Sequence, residues 1–102
     1  MADYVKVAKT HEIQTGESRL VYHEGREIAV YNVDGQLFAL DNSCTHEDLP
    51  LDEGEISGFE LTCPWHGAKF DLRTGEVLGP PAYEALARYN LRVTGTDIEI
   101  EL

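Results

Sequence analysis

The sequence predicts an all-β protein, an antiparallel β-sandwich with a loop-rich central subdomain; a small barrel is the alternative closure. Three observations predict it. Short apolar/polar alternating segments recur along the chain, turn dipeptides sit between them at hairpin spacing, and glycines and prolines crowd the middle rather than the ends.

The elements follow in order. Tyr4-Val5-Lys6-Val7 is expected as a first strand. Arg19–His23 and Arg26–Asn32 flank Glu24-Gly25, and Asp34-Gly35 leads into Gln36–Leu40, so two successive hairpins are expected. Near the C-terminus, Arg88–Val93 and Asp97–Glu101 surround Thr94-Gly95-Thr96. The strict alternation of Ile98-Glu99-Ile100-Glu101-Leu102 places one face in the core and the other in water. From Ser43 to Pro81 the pattern breaks into Glu55-Ile56, Phe59–Thr62, Lys69–Asp71 and Glu76–Leu78, with five glycines and all four prolines between them. Loops so rich in backbone specialists usually hold something in place. Helix is expected only as a turn near Thr10–Gln14 or Tyr83–Ala87. No repeat or linker divides the chain, so residues 1–102 are expected as one domain, with the subdomain over about residues 43–81 inserted in the sandwich.

At 102 residues the chain suits one compact domain with one core and is too short for a barrel of eight β/α units. Its longest apolar runs, such as Leu37–Leu40, are far below a membrane span. No basic segment followed by an apolar stretch opens it, so a soluble cytoplasmic protein is expected. Nineteen acidic against eight basic residues, a net charge of −11, oppose nucleic acid and anionic membranes and favour a basic partner. Two cysteines cannot build a disulfide framework. A single Cys44–Cys63 bridge is conceivable, but nothing else points to an oxidising compartment.

The chemistry lies in two compact pairs, Cys44-Thr45-His46 and Cys63-Pro64-Trp65-His66, separated by the sixteen residues 47–62. Two thiolates and two imidazoles on two similar loops constitute a metal site, because soft sulfur and borderline nitrogen select zinc or iron. Structural zinc sites usually pair like with like on each segment. Here each loop offers one sulfur and one nitrogen, which suits a two-metal cluster: sulfurs on one metal, imidazoles on its neighbour. Of the remaining histidines, His11 and His23 lack a supporting motif and are expected as exposed polar residues. Lys69, Arg73 and Arg88 are expected to be solvated. No phosphate-binding glycine loop and no nucleophile–base–orienter set is legible.

The C-x-H pair followed by C-P-W-H-G resembles the Rieske [2Fe–2S] signature, in which two histidines replace two cysteines on one iron. The similarity continues through Phe70-Asp71, Thr74-Gly75 and Gly79-Pro80-Pro81-Ala82, the last stretch resembling the proline loop that covers the cluster. It is strongest to Rieske-type ferredoxins of bacterial aromatic-ring-hydroxylating dioxygenase systems and covers almost the whole chain. The resemblance implies one [2Fe–2S] cluster, with Cys44 and Cys63 on the inner iron and His46 and His66 on the outer one through Nδ1. It also implies a tight turn at Gly67 and Trp65 beside the cluster.

Respiratory Rieske proteins add two cysteines that staple the loops, where this chain has Leu49 and Trp65. They also place hydroxyls where it has Ala68 and Phe70. Fewer hydrogen bonds to sulfur, and the carboxylates Glu47, Asp48, Asp52, Glu53 and Glu55, imply a potential near the bottom of the family's range, roughly −150 to 0 mV. Ligation by histidine further implies a midpoint falling by up to about 59 mV per pH unit above the oxidised-state pKa.

The function so implied is that of a one-electron carrier, not an enzyme. It would accept electrons from a flavoprotein NAD(P)H reductase and deliver them to a terminal ring-hydroxylating oxygenase. Docking would be transient, near His46 and His66, with Trp65 and Pro80 on the rim, and a monomer is the natural state for such a shuttle. Alternative readings are the small Rieske-like subunit of a nitrite reductase and a structural zinc module for protein interaction.

Overall fold

The structure is a computed structural model that describes residues 3–42, 54–63, 68–79 and 85–101. Within these residues it is built almost wholly from antiparallel strands. The first are β1 (Tyr4–Lys9), β2 (Ser18–His23), β3 (Arg26–Val33) and β4 (Gln36–Asp41). The middle carries β5 (Glu55–Ser57), β6 (Glu60–Thr62), β7 (Lys69–Asp71) and β8 (Val77–Gly79). The last are β9 (Arg88–Tyr89), β10 (Leu91–Thr94) and β11 (Asp97–Glu101). A 3₁₀ turn spans Thr10–Glu12, within the expected Thr10–Gln14, and Glu12 Oε1 accepts the Lys9 amide at 2.7 Å. Ala85–Ala87 is irregular rather than helical. No helix among the described residues is long and apolar enough to cross a membrane.

The strands form three sheets, ordered β1-β11-β10, β2-β3-β4-β9 and β5-β6-β7-β8. Both early hairpins close with two-residue turns whose central residues all have positive φ: Glu24 (48°) and Gly25 (82°), Asp34 (51°) and Gly35 (89°). That geometry matches the right-handed twist of the flanking strands and explains why Asp-Gly is so strong a signal.

Strand β3 decides the layering. Ile28 and Val30 enter one core with Ala8, Ile13, Val21, Ala39, Ile98 and Ile100. Its alternate residues Ala29, Tyr31 and Val33 enter a second core with Leu40, Leu61, Cys63, Ala68, Phe70, Leu72 and Leu86. A period of two sends successive side chains to opposite faces, so the apolar run Ile28–Tyr31 is covered on both. The β2-β3-β4-β9 sheet is therefore a middle layer between two cores, not the wall of the single core expected from chain length. The two sheets sharing the first core form the sandwich, and β5–β8 covers the other face of the middle layer.

The C-terminal segment departs from expectation. Arg88–Val93 is not one strand: Arg88–Tyr89 pairs with β4, whereas Leu91–Thr94 pairs with β11. The change of sheet falls at Asn90, whose carbonyl accepts the Glu101 amide at 2.9 Å and whose side-chain amide donates to Glu101 Oε1 at 3.1 Å.

Candidate metal centre

The small sheet positions the site. Its registers pair Glu55 with Thr62, Thr62 with Lys69, and Lys69 with Gly79, so these four residues form one row across one end. Three segments leave from that row: the one before Glu55 that carries Cys44 and His46, the one after Thr62 that carries Cys63 and His66, and the one after Gly79 that carries Pro80 and Pro81. Segments far apart in sequence thus have neighbouring roots.

The second sequence-predicted pair begins at a clasp. Beyond the Thr62–Lys69 pairing, the Cys63 amide donates to the Ala68 carbonyl at 2.7 Å, which extends the β6–β7 pairing by one step. Cys63 is a free cysteine, 2% exposed, so no Cys44–Cys63 bridge forms. Its side chain shares the second core with Ala68 and Phe70, both fully buried, and neither carries a hydroxyl.

The first pair hangs from β4. Asp41 ends that strand with its amide donating to the Ala87 carbonyl at 3.0 Å. The Asn42 amide donates to the Glu27 carbonyl at 3.0 Å, and its side chain is buried. The Tyr89 hydroxyl donates to Asp41 Oδ1 at 2.5 Å. Burial first, and the Asp41 carboxylate second, push the Tyr89 hydroxyl up to about 12.

Of the four sequence-predicted ligands, Cys63 is described; Cys44, His46 and His66 lie outside the described residues, as do Leu49, Trp65, Gly67, Pro80 and the carboxylates Glu47, Asp48, Asp52 and Glu53. His11 sits exposed on the 3₁₀ turn, and His23 ends β2 with Nε2 4.0 Å from Glu24. Lys69, Arg73 and Arg88 are exposed, as expected, and the first two are also ion-paired. Lys69 pairs with Glu60 at 3.2 Å. Arg73 grips Asp71 through Nε at 3.1 Å and a terminal nitrogen at 3.0 Å, and lies 4.6 Å from the Phe59 ring centroid. This hydrogen-bonded guanidinium holds the Asp71 carboxyl below its usual value.

Sequence reasoning missed Tyr89 and Asp41, which stand 48 residues apart and share no local pattern. It also missed the reason for Gly75. The Leu86 amide donates to the Gly75 carbonyl at 2.8 Å, and a Cβ at position 75 would meet the Leu86 carbonyl oxygen at 2.4 Å.

A family profile described as Rieske [2Fe–2S] domain matches residues 3–90. The chain belongs to the Rieske [2Fe–2S] family. The Rieske cofactor is a single [2Fe–2S] cluster, and a buried free thiol on a clasped hairpin suits its need for thiolate sulfur.

Among curated relatives of this Rieske protein, the biphenyl dioxygenase ferredoxin subunit of Pseudomonas sp. (strain KKS102) is 36% identical, covering 96% of this chain and 91% of that one. The ferredoxin component of the naphthalene 1,2-dioxygenase system of Pseudomonas aeruginosa is 33% identical over 97% and 95%. Among solved structures, the Sphingomonas yanoikuyae B1 ferredoxin superposes with a TM-score of 0.91 at 32% identity, covering 98% of this chain and 99% of that one. A chain from the complex of reduced oxygenase and oxidized ferredoxin in carbazole 1,9a-dioxygenase gives the same TM-score at 30% identity, covering 96% and 92%.

Proposed function

We propose that this Rieske protein is a ferredoxin, a one-electron carrier serving a ring-hydroxylating dioxygenase system, and not itself an enzyme. Cys44 and Cys63 hold the inner iron of its [2Fe–2S] cluster, and His46 and His66 hold the outer one. The cluster supplies a centre that accepts and releases one electron. With neutral imidazoles, two ferric ions, two sulfides and two thiolates sum to zero charge. A four-thiolate cluster would carry −2, so the Rieske centre takes up an electron more readily.

The observation that carries the reading is the clasp between Cys63 and Ala68 at the end of the small sheet from which the other ligand-bearing segment also departs. It sets a buried sulfur at the end of the β6–β7 pairing. The buried Ala68 and Phe70 support the low-potential end of the family, because neither offers a hydroxyl to a sulfur. The electron donor is a flavoprotein NAD(P)H reductase and the acceptor a terminal oxygenase, met one at a time by a monomer working in the cytoplasm as a single domain.

Charge supports transient docking on cationic partners. Between Arg26 and Lys69 the chain has no lysine or arginine and nine of its nineteen carboxylates, and this stretch contains Cys44, His46, Cys63 and His66. Among the described residues, Lys6, Lys9, Arg19, Lys69, Arg73 and Arg92 are paired with carboxylates. The residual field is strongly negative, and such fields speed association with a basic surface.

The test is metal and sulfide analysis of purified protein with spectroscopy. The reading expects iron and acid-labile sulfide in equal amounts, a red-brown colour and a rhombic EPR signal on reduction. Cys63→Ala and His66→Ala are expected to abolish that signal. Colourless, folded protein with one zinc and no labile sulfide would overturn it.

A further inference from the structure

Five consecutive residues, Leu86 to Asn90, touch all three sheets. Leu86 binds the turn between β7 and β8 through its amide, which donates to the Gly75 carbonyl at 2.8 Å. Ala87 accepts the Asp41 amide at 3.0 Å, and Arg88 and Tyr89 pair with Leu40 and Ala39 of the middle sheet. Asn90 holds Glu101 of β11 by two hydrogen bonds. Among the described residues, the middle and small sheets are otherwise joined by apolar packing in the second core, which is non-directional. Backbone hydrogen bonds are directional and so set a relative position.

We propose that Leu86–Asn90 is a strap that positions the two ligand pairs relative to one another, with Tyr89 as its positioning residue acting through Asp41. The proposal rests on the ligand assignment above. Asp41 precedes Cys44 by three residues, a reach of at most about 11 Å. A shift at Asp41 therefore has little chain in which to be absorbed before it reaches the first sulfur. Cys63 is fixed differently, inside the small sheet by its own clasp with Ala68. A cluster bridging the two loops needs both roots at one spacing, and the strap spans both: Leu86 holds the small sheet, while Ala87 and Tyr89 hold Asp41. The Tyr89 hydroxyl gives the second hold on Asp41, through the side chain rather than the amide. A neutral donor bound to a carboxylate makes a strong, short bond, and this one measures 2.5 Å.

Three single variants in the intact holoprotein test this, read by the rate of iron release to a chelator and by the EPR line positions of the reduced form. Tyr89→Phe removes the hydroxyl and keeps the ring that packs on the first core. It is expected to speed iron release about five- to twentyfold and to shift or broaden the EPR lines, as a hydrogen bond to a charged group lost near the site allows. Asp41→Asn keeps an oxygen acceptor for the hydroxyl and is expected to stay within about threefold of the wild type. Ile98→Val lowers global stability from the core on the other side of the middle sheet, and is expected to leave release within about twofold. Wild-type release and unchanged lines in Tyr89→Phe would overturn the strap, as would equal acceleration in Ile98→Val. Wild-type protein lacking iron and sulfide would overturn the ligand assignment instead, and the strap's role with it.

Discussion

Gly75 and Leu86 meet backbone to backbone. The Leu86 amide donates to the Gly75 carbonyl at 2.8 Å, and Gly75 holds a φ of 81° while doing so. A side chain at 75 would enter the left-handed region and collide at 2.4 Å with the Leu86 carbonyl oxygen, which is backbone and has nowhere to retreat. Gly75→Ala is therefore expected to cost about 2–4 kcal/mol, or a melting temperature lower by at least about 10 °C. Gly58 is the control, with a φ of 61° and nothing within 4 Å of a Cβ, so Gly58→Ala bears only the backbone strain of about 1 kcal/mol. Equal losses in the two variants would show that the close approach is not what constrains position 75.

Tyr89 makes alkaline stability diagnostic. Its folded hydroxyl is pushed up to about 12, above the usual tyrosine value near 10. The neutral form is thus favoured by folding. Its contribution is complete below about pH 10 and is lost as pH rises through about 12. Tyrosinate absorbance is expected to include a late contribution from Tyr89, together with falling stability in that window. Tyr89→Phe is expected to remove that contribution, and identical late absorbance in wild type and variant would refute the burial argument.

Asp71 works in the opposite direction of pH. The guanidinium of Arg73 lowers its folded pKa, so the ionised form is the one favoured by folding. That stability is present above the unfolded carboxylate value near 3.9 and is lost as pH falls through the lower folded value. The pair is largely open to water on the arginine side, 55% exposed, which screens it. Asp71 also accepts the Arg73 amide at 2.8 Å within the turn. Asp71→Asn is expected to cost roughly 0.5–1.5 kcal/mol at pH 7, with the difference shrinking as pH falls through the lowered folded value. A difference independent of pH would exclude ionisation as its origin.

Electron transfer should depend on salt. The carboxylates between Arg26 and Lys69 face no base of their own segment, and exposed charges are screened within about 10 Å at 0.1 M salt. Second-order transfer to a partner with a basic docking surface is expected to slow at least about tenfold between about 20 and about 500 mM salt. Rates that do not change would remove steering from the account.

The two Cys/His pairs were legible as a candidate metal site because their chemistry is local: each cysteine stands within three residues of its histidine, and the spacing itself departs from most zinc patterns. The hairpins at Glu24-Gly25 and Asp34-Gly35 were legible for the same reason, since a primed turn is specified by two residues. The break at Asn90 was not. Arg88–Val93 alternates well enough for one strand, and nothing within it says that its halves pair with different sheets.

What the sequence determined by itself is short in range: strand alternation, turn chemistry, the excess of carboxylates, and two Cys/His pairs with their implied cluster. The tertiary structure alone decided which contacts act at a distance. β3 became a central strand because sheets packed on both its faces, and Tyr89 reached Asp41 across 48 residues because β9 pairs with β4. Layering, and pairing between strands far apart in sequence, emerge only when distant segments exclude water together, and no window of residues contains that information.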